Sequence, residues 1–364
     1  MTPGISQQSS IAAPGAAGGW LSHTWRLTLW NLKLARRRLM SKILLAILLV
    51  GFLLVMGLVF LSAAVIDSAS TRIISSSCPT PVATSQPGDN GTGSTDPNNP
   101  CDPQTIQQDQ QSLQTARNEE LQFLTFPTIL GIVGGYTGFM GVILLCILAG
   151  AVIGGEYSYG TQRLALSRGV SRAQVLAGQI GALALLALAV SAFMLVLGAL
   201  LGFVLGPALG ATIAAIPAEG LLQLLGFWLV IALQLFAYTL VALLLGTLAR
   251  STAAGIAGSL GYLIFELIAL PILTAIALAL SSTGSSVGDA LQRVQAFFLG
   301  PNLSALLSAV NQTPLDLGGQ NSSAASALAI YVIPPLQGLT VSLLYCIVLV
   351  GLSYWVLRKR DVTN

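Results

Sequence analysis

The sequence predicts an all-α integral membrane protein with six transmembrane helices. Its 364 residues are 54% hydrophobic and only 8% charged, with a mean hydropathy of +0.80. Soluble proteins carry about 25% charged residues, so this chain has too few to cover a water-exposed surface. The chain also contains six apolar runs of the ~20 residues that a spanning helix needs. The net charge of +3 is too small to indicate a nucleic-acid partner.

The apolar runs differ in length and in detail, but each is long enough to span a membrane. The first carries no charged residue, and the fifth is interrupted only by Glu266. The sixth follows Pro334 and Pro335, and Pro is tolerated at a helix start because the first amides have no partner within the helix. The predicted spans are residues 43–66, 126–155, 173–207, 220–249, 251–280 and 336–357.

The distribution of basic residues predicts the orientation. Thirteen of the sixteen Lys and Arg fall in segments on one side, and only Arg72, Arg117 and Arg293 fall on the other. Basic residues concentrate on the cytoplasmic side, so both termini are expected in the cytoplasm of a cell-membrane protein. Residues 1–19 lack charge and are rich in Ser, Gln, Ala, Gly and Pro, which predicts a disordered cytoplasmic tail. Residues 20–364 are expected to form one transmembrane domain.

Residues 20–42 have the pattern of a helix at the membrane surface. Trp20 and Trp25 alternate with Arg26 and Lys33 at roughly helical spacing. Such a helix buries its aromatic face at the lipid interface while its cations contact anionic headgroups, so membrane lipid is an expected partner. The alternative is an ordinary basic flank of the first span.

The predicted outer loop at residues 67–125 contains Cys78 and Cys101. These are the two cysteines outside the spans, and they lie on the side that is oxidising, which favours a disulfide. The alternative is a pair of unbonded surface thiols.

The outer segment at residues 281–335 predicts a re-entrant or interfacial helical hairpin. It is too apolar for a plain loop, yet Gly300 and Pro301 interrupt it. Irregular backbone at membrane depth requires cover by protein or a wet cavity.

The sequence gives no sign of an enzyme. His23 is the one histidine, no Cys/His cluster has metal-ligand spacing, and no phosphate-binding G-x-x-x-x-G-K-[ST] loop is present. We therefore expect no catalytic residue, no metal and no cofactor bound by this chain.

Glu266 is the one acid within a predicted span, and an isolated charge in the bilayer is costly. One interpretation places it in a substrate path or a polar relay. The other makes it a packed, hydrogen-bonded residue, with Tyr262 one turn away on the same helix.

The inner segment at residues 154–172 runs from an acid through glycines into a basic, Leu-rich stretch. Residue types alone allow either a surface helix that docks a soluble partner or a solvated basic loop. This segment resembles the loop after the second helix in membrane subunits of type 2 ABC exporters, where Glu-x-x-x-Gly-Thr precedes a Leu- and Arg-containing turn. The residues in register are Glu156, Gly160, Thr161, Arg163, Leu164, Leu166, Ser167, Arg168, Val170, Ser171 and Arg172.

Two positions depart from that pattern. Gly169 stands where Pro is usual, and Gln179 stands where a Lys often closes the motif. The carboxyl end is also similar to the family, with a basic cluster followed by Asp361.

The resemblance implies a permease subunit that exports its substrate with a separate ABC ATPase, which would bind ATP and Mg. Two permease subunits, identical or different, would form the pathway. The ATPase would dock on Glu156, Gly160, Thr161, Arg163, Arg168 and Arg172. A Leu-, Ala- and Gly-rich bundle favours an amphipathic or apolar substrate. The alternatives are a sensor or assembly factor that binds a ligand through its outer loop, and an ion-coupled carrier, which usually has more buried charges.

Overall fold

The computed structural model describes residues 20–37, 39–77, 111–112, 115, 126–158, 170–205, 207, 217–282, 286–311 and 333–359. Regular structure in these ranges is helical, with no strand among them. Six helices there are long and apolar enough to cross a membrane. The predicted all-α fold and the six predicted spans are therefore confirmed.

The helices follow the order of the predicted segments. The second span is built from two helices, α3 and α4, joined by a π-helical turn at Thr137–Gly141. The spans are α2, α3–α4, α5, α6, α7 and α10. The bounds are α1 Trp20–Arg37, α2 Leu39–Ser77, α3 Ile129–Tyr136, α4 Val142–Ser158, α5 Arg172–Leu205, α6 Ala218–Ala249, α7 Thr252–Ser281, α8 Ser286–Gln295, α9 Leu299–Asn311 and α10 Pro335–Lys359.

The core lies around α4 and α6. These two helices pack against each other and against α7, while α5 and α10 pack against α6. Phe227, Ile231 and Leu235 of α6 are fully buried at the centre. The short helices are attached to this centre: α1 lies on α5, α8 on α7, and α9 against α6 and α10. By contrast, α2 makes few contacts, chiefly with α4 and α1.

Glycines bring α4, α6 and α7 into backbone contact. A Cβ added at Gly255 would lie 3.0 Å from the Cα of Gly150 and 3.2 Å from the Cα of Gly246. Small residues at helix interfaces allow this approach, and the resulting van der Waals contact favours association inside a membrane.

The π-helical turn was not predicted, since residues 126–155 were expected to form one uninterrupted helix. The turn is supported from two sides. The side-chain amide of Gln234 on α6 donates a hydrogen bond to the carbonyl of Gly138 at 3.2 Å. The hydroxyl of Tyr136 donates to the carbonyl of Leu48 on α2 at 3.0 Å. Neighbouring helices thus satisfy polar groups in the middle of the span.

The helix that contains the first span extends beyond the predicted apolar run, although the part that could cross a membrane ends at Ser62. Its apolar run was expected to end at residue 66, but α2 continues to Ser77. The sequence from Asp67 to Ser77 contains neither Gly nor Pro, and Pro79 follows at the point where helix is disfavoured. Cys78 and Cys101 lie outside the described residues, so their disulfide stays a prediction.

On α1, Thr28 and Asn31 are buried, and Trp20, Trp25 and Trp30 are more than half exposed. Arg26 and Lys33 are exposed together with these tryptophans, so the buried face of α1 is formed by residues outside the predicted alternation of Trp with Arg and Lys. The location of α1 at the membrane surface, and the depth of α8 and α9 in the membrane, stay predictions.

Candidate functional site

Glu156 lies in the last turn of α4 and is buried, with 7% of its surface exposed. Its Oε2 accepts a hydrogen bond from the side-chain amide of Gln179 on α5. Gln179 is also buried, at 4% exposure. Glu156 therefore links α4 to α5 beneath the surface and does not present its carboxyl group to solvent.

This partner is the residue that departs from the exporter pattern in the sequence. Gln179 stands where Lys is common, and the structure brings that position to the acid of the motif. The sequence contained the two residues but gave no direct indication that they meet, since 23 positions separate them.

Arg172 begins α5 and binds the end of α10. Its Nη1 donates to the carbonyls of Leu357 at 3.1 Å and Arg358 at 3.4 Å. The last carbonyls of a helix have no partner within the helix, and a cation there is favoured by the helix dipole. Arg172 therefore joins the start of α5 to the end of α10.

The start of α5 is fixed locally as well. The backbone amide of Gln174 donates to Oγ of Ser171 at 3.2 Å, and the amide of Ser171 donates to Oε1 of Gln174 at 3.0 Å. This reciprocal pair is a capping box, which satisfies two amides that the helix leaves without partners. The direction in which the chain enters α5 is thereby determined by Ser171 and Gln174.

The segment between these anchors is residues 159–169. Gly160, Thr161, Arg163 and Arg168 lie in it, outside the described residues. Its ends are connected to three spans: α4 contains Glu156, α5 contains Gln179 and Arg172, and α10 contributes the bound carbonyls. A force on this segment would act on all three spans.

A second polar cluster surrounds Glu266 near the middle of α7. The Tyr238 hydroxyl of α6 donates to Oε2 of Glu266 at 2.6 Å. The Gly300 amide in the first turn of α9 donates to Oε1 at 2.6 Å. Glu266 is 3% exposed, so these bonds satisfy a carboxyl group that is shielded from its surroundings. A carboxylate is also favoured at the positive N-terminal end of a helix.

Tyr262 lies beside this cluster. Its ring is 6.2 Å from the ring of Tyr238, with the two planes tilted by 50°. The Tyr345 hydroxyl of α10 donates to the carbonyl of Phe297, just before α9. The structure thus gives Glu266 a hydrogen-bond partner, Tyr238, that the sequence did not single out. Participation of Glu266 and Tyr262 in a substrate path or relay stays a prediction.

Within the described ranges, no group of three or more His, Cys, Asp or Glu could hold a metal ion. Cys146 and Cys346, both buried in spans, are free thiols. Apart from the local cap of α5, the polar groups described above form hydrogen bonds between helices.

Comparison with known protein families gives a match over most of the chain. A search of curated proteins and a search of solved structures find nothing similar to this chain. The family described as "ABC-2 family transporter protein" matches residues 33–362, which is most of the chain and includes all six spans. The chain therefore belongs to the ABC-2 transporter family, as a multi-pass permease subunit.

Proposed function

We propose that this protein is the permease of an ATP-driven exporter in the cytoplasmic membrane. Membership of the family implies partnership with an ABC ATPase, which would hold ATP and Mg. A second permease subunit, of the same or a different sequence, completes the pathway. Residues 20–364 form the transmembrane domain, and the termini face the cytoplasm. The substrate is amphipathic or apolar, in keeping with an Ala-, Leu- and Gly-rich bundle.

The observation that carries this proposal is that the residues on either side of 159–169 are bonded to three spans. The Glu156–Gln179 bond holds α4 to α5, and the bonds of Arg172 hold α5 to α10. Closure of an ATPase docked on Gly160, Thr161, Arg163 and Arg168 would displace the segment. Because its ends are bonded to three helices, the displacement would move these helices together. In this scheme Glu156 and Arg172 are positioning residues.

Glu266, near the middle of α7, would respond to the same movement. It connects α6, α7 and the start of α9 through two hydrogen bonds. We assign it the role of a polar relay, in which the charge of Glu266 and these two bonds together hold the helices in the closed arrangement. Opening a pathway between subunits would require these bonds to break or to move as a unit.

The direct experiment is cysteine cross-linking to the ATPase that co-purifies with the chain. A single cysteine replaces Ser167, within residues 159–169, in a background in which the four native cysteines are replaced. We expect Ser167→Cys to cross-link to the ATPase in a nucleotide-dependent manner. The matched control is Ser286→Cys at the start of α8, which should give no such product.

Two results would contradict the proposal. Cross-linking from position 286 with none from position 167 would place the partner on the wrong side of the protein. Purification of a stable chain without any ATPase, together with ligand binding by residues 67–125, would favour the sensor or assembly-factor alternative.

A further inference from the structure

A groove of about 360 Å³ lies between α1, α2, α4 and α5. Its walls are mainly leucine side chains, and Leu45 on its rim is 43% exposed. The groove therefore opens sideways from the bundle, toward the space that lipid occupies around a membrane protein. Its size falls within the range of small-ligand sites, about 300–1,000 Å³. The main wall residues are Leu44, Leu48, Leu144, Leu148, Leu186 and Val190.

The groove exists because α2 is attached to the bundle along only part of its length. Leu48, Phe52 and Met56 are buried at intervals of four residues, so one face of α2 is in contact from Leu48 onward. Tyr136 also binds the carbonyl of Leu48. Before Leu48 the side chains of α2 are exposed or half-buried.

The polar side chains of the groove are at one end. Ser41 and Lys42 line it close to the start of α2, and the lining includes no carboxylate. Leu48 lies six residues beyond Lys42, which corresponds to about 9 Å along a helix. The groove thus offers an ammonium and a hydroxyl at its mouth, followed by hydrocarbon walls.

We propose that this groove binds one anionic phospholipid, with an acyl chain along the leucines and the phosphate at Lys42 and Ser41. Each buried methylene of the chain gains hydrophobic stabilisation, and the phosphate neutralises the ammonium. In the predicted orientation this end of α2 lies in the cytoplasmic leaflet, where anionic headgroups concentrate. A second copy of the chain fits less well, because it would bring another basic end, with Arg26 and Lys33, toward Lys42. The inference is independent of the proposed export function.

Native mass spectrometry of the full chain tests this site. The protein is equilibrated with an equal mixture of phosphatidylglycerol and phosphatidylcholine of matched chains, and the retained lipid is counted. We expect the wild type to retain one phosphatidylglycerol preferentially. Lys42→Gln should lower that preference about fivefold, which corresponds to the roughly 1 kcal/mol that one basic side chain contributes near anionic lipid. Arg293→Gln, at an exposed residue of α8 that does not line the groove, removes the same charge elsewhere and should change nothing.

A second variant tests the hydrocarbon part of the site. Leu44→Trp fills the groove and should abolish retention of both lipids. Leu54→Trp, at a residue of α2 that is 68% exposed and does not line the groove, is its control. Because Lys42 is exposed, Lys42→Gln is expected to fold even if Leu44→Trp does not.

Three outcomes would overturn the proposal. The first is a wild type without preference for phosphatidylglycerol, and the second is an unchanged preference in Lys42→Gln. The third is a wild-type dimer that binds no lipid and dissociates in Leu44→Trp, which would make the groove a contact between copies.

Discussion

Gln179 donates a hydrogen bond to Glu156, and this bond joins the end of α4 to the first turns of α5. Both side chains are buried, so neither can exchange its partner for bulk water. The pair explains how an acid in a segment expected to contact a soluble ATPase can instead control the position of that segment.

Replacing Glu156 with Ala should weaken this connection. The buried amide of Gln179 would lose its acceptor, at a cost of about 1–3 kcal/mol. We expect a lower thermal unfolding temperature and reduced substrate-stimulated ATPase activity, with membrane insertion unchanged. Gln179→Lys is the matched control, because Lys can still bind Glu156, and it should retain activity. Wild-type transport by Glu156→Ala would favour the solvated-loop interpretation of residues 154–172.

Replacing Arg172 with Gln should loosen the end of α10. A cation at a helix C-terminus contributes about 0.3–1 kcal/mol, and up to ~2 kcal/mol when partly buried. Amide hydrogen exchange in the last turn of α10 should therefore accelerate several-fold. Arg26→Gln, at an exposed residue of α1, is the control and should leave this exchange rate unchanged. Unchanged protection in Arg172→Gln would show that the Leu357 and Arg358 carbonyls do not depend on it.

Two substitutions of Glu266 distinguish a functional role of its charge from a structural role of its hydrogen bonds. Glu266→Gln can still accept from Gly300 and bond to Tyr238, whereas Glu266→Leu leaves both groups without a partner. If the charge serves as a relay, Gln should impair transport while thermal stability stays near that of the wild type. Leu should lower stability by about 1–3 kcal/mol per unsatisfied group. Tyr238→Phe removes one bond and should give a smaller loss of stability than Leu. Normal transport in both Glu266 variants would exclude the residue from the mechanism.

Substitution of Gly255 tests the backbone contact between α4, α6 and α7. Gly255→Ala places a Cβ 3.0 Å from the Cα of Gly150, so helices must separate, and overpacking of this kind costs about 1–3 kcal/mol. Thermal unfolding should occur at a lower temperature. Gly261→Ala is the control on the same helix, since no atom of a neighbouring helix lies within 4 Å of its added Cβ. Ala is the better helix former, so this control should be neutral or slightly stabilising. Equal stability of the two variants would contradict the proposed contact.

Single-cysteine labelling checks the orientation. An impermeant reagent outside the cell should reach positions 90 and 316 and should not reach positions 168 and 362. These expectations follow from the thirteen basic residues assigned to the inner side. Labelling of position 168 from outside would refute the topology and with it the proposed docking of an ATPase.

The spans were predictable because each depends on local composition. A run of about 20 apolar residues is sufficient to identify a membrane helix, whatever it packs against. The partners of Glu156 and Glu266 depend on tertiary packing, which residue spacing does not encode. Tyr262 was the natural candidate for Glu266 because it is one turn away on α7, but Tyr238 reaches the carboxyl group from α6.

The start of α5 depends on both local sequence and tertiary packing. The predicted third span starts at residue 173, one residue after the observed start of α5, and the prediction did not use the capping-box spacing of Ser171 and Gln174, whose two bonds the structure forms. The bond from Arg172 to α10 was not readable, because it requires two helix ends 185 positions apart to meet.

The π-helical turn at Thr137–Gly141 changes the rotation of α3 about the helix axis relative to that of α4. A turn of this kind contains one residue more than an α-helical turn, so α3 is rotated by about 100° relative to an uninterrupted continuation of α4. The rotation turns Tyr136 toward α2 and leaves Glu156 facing α5. One extra residue thus lets Tyr136 of α3 contact α2 while Glu156 of α4 contacts α5. Deleting that residue would rotate α3, so that the two contacts could not form together.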